Sequence, residues 1–336
     1  MKRRDFLRTS GEFGMVGIAS LAMPNILFSN AQNLGQNSHN LAQNLTIYGA
    51  PALISLTLAV ALNMGNARKE RNLKLRIWNS PDALRVGFAS GDYKISAAPS
   101  NVGVNLANQG LDIKLLNILT TGLNYIFTRD EKVQNLSDLE GKNLIVPFKN
   151  DIPHIILIAL CEKMGVDINK IKITFAANPP QAAQLFIAKD EFDAVLSQEP
   201  LASALTLMAK KNGKNIYRQI SMQDLWKQNF GLQIPQAGLI VEGAFYEANK
   251  NFFALFHNDL KSALQWIDGN KDSAAKLGAK YLPAQEPAIK LAIPHSNLVA
   301  MKASEMADDL MKFYEIIFEI NPQFLGGKMP KKSLFL

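Results

Sequence analysis

The stretch that decides the fold is residues 73–101, LKLRIWNSPDALRVGFASGDYKISAAPSN. Its first five residues alternate between apolar and basic side chains, which is the period-two pattern of a β-strand. Ser80 and Pro81 then supply an N-cap and a first-turn residue, which predict a helix ending at Gly91. Residues 95–98, ISAA, form the next predicted strand. Strand, helix and strand in this order predict an α/β fold.

The same alternation continues on both sides of this stretch. It predicts two doubly wound, mostly parallel sheets in two lobes, joined by a hinge of two chain crossings near 124–128 and 235–238. The first lobe is expected to comprise 45–126 with 236–336, and the second 127–235. Further strands are predicted at 45–48, 144–146, 171–175, 194–196 and 235–241, and helices from Pro51 to Gly65, from the Pro99–Asn101 turn, from Asp151, from Pro179 and from Glu199, with an almost wholly helical C-terminal run at 244–321.

The composition excludes several classes of protein. The chain has 336 residues, of which 48% are hydrophobic, so intrinsic disorder is excluded. A single cysteine, Cys161, and four widely separated histidines argue against a disulfide scaffold and a metal site, and no cofactor is expected. The net charge is +7, but the basic residues are scattered rather than clustered in a stripe. Nucleic-acid binding is therefore not expected.

The N-terminus reads as an export signal. Basic residues, including the adjacent Arg3 and Arg4, precede a weakly apolar stretch that is too short to span a bilayer. This pattern predicts a twin-arginine signal over 1–31, with cleavage before Gln32, followed by a flexible leader over 32–44. No cysteine lies near the predicted cleavage site, so no lipid anchor is expected.

Four segments in order resemble the substrate-binding proteins of ABC importers that serve nitrate, sulfonates, taurine and thiamine-pyrimidine precursors. They are LTIYGAPALISLTLAVAL, IWNSPDALRVGFASGDYKISAAPSNVGVNLANQG, LSDLEGKNLIVPF and FDAVLSQEPLASAL, within residues 45–265. The resemblance implies a two-lobed, periplasmic-binding-protein-like fold of type II. It also implies that a small ligand is held by hinge closure and delivered to a permease in the inner membrane.

The expected ligand site lies on the loops that follow the strands. In open α/β sheets, ligands bind beyond the carboxyl ends of the strands, where helix N-termini present their N–H groups. Helix capping is the alternative role for the polar residues on these loops, and core packing is the alternative for the aromatic ones. The candidate ligand-binding residues are Tyr48, Gly49, Pro51, Ala52, Trp78, Ser100 and Asn101 in the first lobe, and Lys149, Asp151, His154, Asn178, Gln198 and Glu199 in the second.

The function favoured by the sequence is that of a periplasmic solute-binding protein rather than an enzyme. Nitrate, a sulfonate such as taurine, and a pyrimidine all remain open as ligands. An enzyme on the same fold, of the pyrimidine-synthase or menaquinone-pathway type, is one alternative. However, the cysteine-rich motif of the pyrimidine synthases cannot be formed with Cys161 alone. A ligand-sensing receptor with a separate membrane partner is the other alternative.

Replacing Arg3 and Arg4 together with lysine tests the export prediction. We expect the precursor to accumulate in the cytoplasm, because the twin-arginine pathway reads the arginine pair itself. Cell fractionation and N-terminal sequencing measure this, and the unaltered chain should yield a periplasmic protein that begins at Gln32. Normal export of the double-lysine variant would rule out the twin-arginine assignment.

Overall fold

The computed structural model describes residues 44–336. The predicted export signal, 1–31, and the predicted leader, apart from Asn44, lie outside the described residues. The strands are β1 Asn44–Gly49, β2 Asn72–Ile77, β3 Ile95–Pro99, β4 Ile113–Thr120, β5 Asn124–Thr128, β6 Asn143–Pro147, β7 Lys172–Ala176, β8 Ala194–Gln198, β9 Tyr217–Ser221, β10 Ala237–Glu242 and β11 Leu298–Lys302. The helices are α1 Ile54–Met64, α2 Pro81–Ala89, α3 Ser100–Asn108, α4 Ile152–Met164, α5 Pro179–Ala188, α6 Leu201–Lys211, α7 Met222–Phe230, α8 Gly243–Glu247, α9 Lys250–Gly269, α10 Lys271–Gly278, α11 Glu286–Ala292 and α12 Ala307–Ile320.

These strands form two sheets. The first has the order β11-β4-β10-β3-β1-β2, and the second has the order β7-β6-β8-β5-β9. The expectation of mostly parallel sheets is wrong. β1 pairs in parallel with β2 and β3, and β6 with β7 and β8, whereas β10, β11, β5 and β9 all pair antiparallel to their neighbours. Four of the five antiparallel pairs involve β5 or β10, the strands that enter a sheet from the other sheet, and the fifth joins β11 to β4.

Four strands were not predicted from the sequence: β4, β5, β9 and β11. β11 interrupts the C-terminal run that was expected to be helical, and it forms one edge of the first sheet beside β4. Its sequence, LVAMK, follows the turn residues Ser296 and Asn297, but a short apolar run does not by itself distinguish a strand from part of a helix. The local sequence pattern therefore did not predict β11, the edge strand of the first sheet.

Helix starts agree with the sequence where a capping residue precedes a proline. Asp151 accepts a hydrogen bond from the Ile152 N–H at 2.8 Å, and Asn178 accepts one from the Gln181 N–H at 2.9 Å. The prediction for α1 is wrong at its start, because residues 51–53 form a turn and the helix begins at Ile54.

Residues 99–101 also differ from the expectation of a turn. Ser100 is already the first residue of α3, Asn101 follows it in the helix, and the N-cap position belongs to Pro99. Proline cannot offer a side-chain acceptor, so this helix start has no side-chain cap. The capping role weighed for Ser100 and Asn101 is therefore absent.

The second sheet is covered on both faces. Along β5, Ile126 packs into the larger core, which it shares with the first sheet and the C-terminal helices, while Tyr125 and Phe127 pack into a separate cluster with Phe186. This alternation follows from the opposite directions of successive side chains in a strand. Cys161 on α4 is buried in the larger core, as predicted. No helix within residues 44–336 is long and apolar enough to cross a membrane.

The chain crosses between the sheets twice, and one side chain joins the two crossings. The first crossing, 121–123, connects β4 to β5, and the second leads from α7 into β10 and contains Gln236. Oε1 of Gln236 accepts from the Leu123 N–H at 3.3 Å and from Nδ2 of Asn124 at 3.2 Å. The Gln236 N–H donates to the Thr120 carbonyl at 3.2 Å. We call this set of contacts the Gln236 clasp; the division into lobes at 126/127 and 235/236 stays a prediction.

Replacing Gln236 with leucine should destabilise the protein. The two donors on Leu123 and Asn124 are 2% and 1% exposed as residues, so loss of Oε1 leaves both buried and unpaired. Leaving a buried donor unsatisfied costs about 1–3 kcal/mol. We therefore expect the free energy of unfolding to fall by about 2 kcal/mol, measured by urea denaturation.

Gln198→Leu is the matched control for this substitution. Gln198 also borders the space between the sheets, but its side chain makes no hydrogen bond to any residue in 44–336. Its replacement should change the free energy of unfolding by less than about 0.5 kcal/mol. Equal effects of the two substitutions would contradict the importance given to the clasp.

Candidate functional site

A cavity of about 640 Å³ lies between the two sheets. Its walls come from the loops after β1, β2 and β3 in the first sheet and from those after β6, β7 and β8 in the second. Leu123 and Gln236 of the two crossings form its base, and residues 281–283 close one side. The carboxyl ends of the parallel strands in both sheets therefore meet at one enclosed space, as expected for α/β ligand clefts.

Prolines form an unusually large part of the wall. Eight of the lining residues are prolines, and most of them stand at or next to the first residue of a helix. Proline has no N–H, so the prolines at helix starts remove hydrogen-bond donors there while fixing the backbone of the turn. The lining prolines are Pro51, Pro81, Pro99, Pro153, Pro179, Pro180, Pro200 and Pro283.

Side chains already occupy N–H groups at the helix starts beside the cavity. Ser80 Oγ accepts from the third residue of α2 at 3.1 Å, and Asp151 and Asn178 cap α4 and α5. Glu199 Oε2 accepts from the Ser203 N–H in α6 at 3.0 Å. These N–H groups are consequently not available to a ligand.

Asp151 is the one charged residue among the described residues that line the cavity. Burial raises the pKa of its carboxyl above the usual range, opposed by the hydrogen bond from the Ile152 N–H and by the charge of Arg85. No Lys, Arg or His within 44–336 forms an ion pair with it. The carboxylate thus has a hydrogen-bond partner for Oδ1 but no cation of its own.

Neutral polar groups complete the lining. The orientation of the Gln236 amide is fixed, because Oε1 takes two hydrogen bonds; its Nε2 donor makes none with any described residue. Asn79 and Gln198 also bring carboxamides to the wall without side-chain partners in 44–336. Donors and acceptors of this kind can orient a ligand without adding net charge.

The aromatic part of the wall comes from Trp78, Phe148 and Tyr281. The indole N–H of Trp78 donates to the Ala97 carbonyl at 2.9 Å, so the ring is held in place. Phe148 has a φ of 57°, in the left-handed region that costs a bulky residue about 1–3 kcal/mol. Such backbone strain tends to persist at functional sites.

Glu199 lies outside the cavity lining and is fully buried. It pairs with the Arg218 guanidinium, which lies over the rings of Tyr125 and Phe127 at 4.5 and 5.1 Å from their centroids. Burial raises the pKa of Glu199, while Arg218 and Ser203 act against this rise. The geometry gives Glu199 a structural partner on the far side of α6, instead of a free carboxylate in the cavity.

Tyr48 and His154 are two further predicted site residues that lie outside the cavity lining. Tyr48 stacks on Tyr93 with ring centroids 3.4 Å apart. His154 accepts a hydrogen bond at Nδ1 from the Asn150 N–H at 3.2 Å, and its pKa is lowered by burial and by Lys149. Of the thirteen predicted residues, those in the lining are Pro51, Ala52, Trp78, Asp151, Asn178 and Gln198; those outside it are Tyr48, Gly49, Ser100, Asn101, Lys149, His154 and Glu199.

The sequence-based set omits Gln236 and the segment 281–283. Gln236 falls within the predicted second crossing, and a crossing beside a cleft is a signal that could have identified it. Residues 281–283 follow α10 in the C-terminal part, and no local pattern connects them with the strand ends. Within residues 44–336, no group of three or more His, Cys, Asp or Glu residues is arranged to hold a metal ion.

Comparisons with solved structures agree with this architecture. A protein from Parabacteroides distasonis described as an ABC transporter has a TM-score of 0.74 at 16% identity, covering 88% of this chain and 99% of its own. The periplasmic aliphatic sulphonate binding protein SsuA from Escherichia coli has a TM-score of 0.69 at 16% identity, covering 87% and 91%. The alkanesulfonate-binding protein SsuA from Xanthomonas axonopodis pv. citri, bound to MOPS, has a TM-score of 0.64 at 16% identity, covering 86% and 95%.

These likenesses confirm the predicted two-lobed α/β fold of the periplasmic binding proteins. At 16% identity they establish the fold alone. The comparison with curated proteins found no match. The family model described as NMT1/THI5 like matches residues 69–274, more than half of the chain. The chain therefore belongs to the NMT1/THI5-like family.

Proposed function

We propose that this protein is an extracytoplasmic solute-binding protein that captures a small molecule in the cavity and delivers it to an ABC importer permease. The observation that carries the proposal is the position of the cavity, at the strand ends of both sheets and against both chain crossings. A ligand there would touch both sheets at once. The solved structures that resemble the chain include proteins named as sulfonate-binding components of such importers.

Binding coupled to closure is the mechanism this geometry supports. The two crossings are short connections, and the Gln236 clasp ties them together at the base of the cavity. A rotation of the sheets about these crossings would bring Trp78 and Gln198 towards each other around a ligand. Contacts made with both sheets in the closed form would favour closure in proportion to their binding energy.

The side chains of the cavity support binding over catalysis. None of the described lining residues is a serine, threonine, cysteine, lysine or histidine, and the lining groups that could carry a proton are Asp151 and Tyr281. An enzyme on the same fold is the alternative. Prolines and apolar residues make up most of the cavity wall, and such side chains do not take part in catalysis. A periplasmic location is proposed on the strength of the predicted export signal over 1–31.

A ligand panel combined with X-ray scattering tests the proposal. The purified full chain is unfolded and refolded to release any bound molecule, then screened by thermal shift with nitrate, taurine, an aminopyrimidine and a set of organic amines. A ligand at about a hundredfold excess over Kd stabilises the folded state by about 2.7 kcal/mol. The same ligand should reduce the radius of gyration, because the two sheets approach each other.

Two results would contradict the proposal. A panel that produces no stabilisation would argue against solute capture, and stabilisation without a change in scattering would argue against closure. Uptake distinguishes the importer from the sensory alternative: deletion of the gene should abolish accumulation of the labelled ligand. Unchanged accumulation with a changed transcriptional response would favour a receptor.

A further inference from the structure

The charge pattern of the cavity limits the class of ligand, given the proposed function on which this inference rests. Anions are held in proteins by cationic side chains or by free N–H groups at helix starts. The described lining residues include no Lys, Arg or His. Lys149 lies outside the lining, with its Nζ 5.5 Å from the centroid of the Phe175 ring.

Four of the helix starts at the cavity, those of α2, α4, α5 and α6, offer an anion little in compensation, whereas α1 and α3 have no side-chain cap. Pro81 is at the first residue of α2, Pro153 at the second of α4, and Pro179 and Pro180 open α5. Each lacks an N–H, and the side chains of Ser80, Asp151, Asn178 and Glu199 take further N–H groups at these starts. At these four starts a nitrate or sulfonate would lose its hydrogen bonds to water and regain few from the protein, at a cost in free energy.

A positively charged ligand could pair with Asp151, which lies in the same wall. Oδ1 of Asp151 accepts the Ile152 N–H, while no described donor bonds Oδ2 and no described cation forms an ion pair with the carboxylate. The nearest cationic influence comes from Arg85, which is paired with Asp82 at 3.1 Å on α2. A cationic group of a ligand at Asp151 would offset the burial that raises the pKa of this carboxyl.

A second contact is provided by Gln236. This residue is 5% exposed, and its Nε2 has no hydrogen-bond partner in 44–336 although the residue lines the cavity. The Gln236 clasp fixes the amide through its Oε1, so Nε2 is the donor of this side chain that remains for a ligand. A hydrogen-bond acceptor on the ligand would satisfy it. Trp78, Phe148 and the prolines add apolar surface to the lining that also contains Asp151 and Gln236.

We propose that the cavity selects an organic cation: a flat, largely apolar molecule with a protonated amine or amidine that pairs with Asp151. Small anions find no cationic side chain among the described lining residues. The recognition depends on one carboxylate in a space whose other lining residues are uncharged. The chemistry of the ligand is therefore set by charge at one end and by apolar packing along its body.

Three probes of the same shape test the sign of the charge. Benzamidine, benzamide and benzoate have the same flat body with a positive, neutral and negative head, and their binding to the full chain is measured by calorimetry. We expect benzamidine to bind at least about tenfold more tightly than benzamide, and benzoate to bind more weakly than either. Equal or tighter binding of benzoate would overturn the inference.

Two substitutions assign the effect to Asp151. Asp151→Asn retains an acceptor for the Ile152 N–H and should remove the preference for benzamidine over benzamide. Asp82→Asn makes the same change of charge at an exposed position on α2, outside the lining, and should leave the preference intact. A preference that survives in Asp151→Asn, whose folding is verified by its melting temperature, would overturn the inference.

The outcomes also separate this inference from the proposed function. If benzoate or taurine binds and closes the protein, the charge assignment fails while solute capture stands. If none of the three probes binds, the charge assignment fails as well, and the wider panel with scattering decides solute capture by itself. Stabilisation by benzamidine together with a smaller radius of gyration supports both.

Discussion

The architecture depends on the hydrogen bonds that the chain must make where it passes twice between the sheets. Backbone groups in a buried crossing have no water to bond, so protein atoms must pair them. Gln236 meets this requirement for both crossings, through Oε1 towards Leu123 and Asn124 and through its own N–H towards Thr120. The same residue forms part of the cavity base. The two chain crossings and the cavity therefore share one side chain.

The character of the cavity follows from how its helices begin. A helix start normally presents unpaired N–H groups, which makes it a site for anions. Here prolines remove some of these groups and capping side chains bond others, at α2, α4, α5 and α6. What remains is an apolar wall with carboxamides and the carboxylate of Asp151. The fold resembles that of solved proteins named as sulfonate-binding proteins.

Local sequence patterns predicted the helices whose starts depend only on neighbouring residues. Asp151 lies two residues before Pro153 and Asn178 lies directly before Pro179, and both helices begin where these residues indicated. β5 and β11 were missed because a short apolar strand has the same local pattern as part of a buried helix. Their strand character comes from pairing with residues far away in the chain. The role of Glu199 was missed for the same reason. Its ion-pair partner, Arg218, lies on β9, so the pair cannot be predicted from the residues around Glu199.

The sequence by itself determined the α/β class, the family resemblance, the starts of α2, α4, α5 and α6 and the loops on which the cavity lies. Periodicity, caps and prolines act over a few residues, so they can be read without knowledge of the fold. The tertiary structure decided which loop residues face the cavity, which are used as caps, and that Gln236 and Tyr281 join them. Those outcomes depend on side-chain directions and on contacts between segments far apart in the chain. A linear pattern contains neither of these quantities.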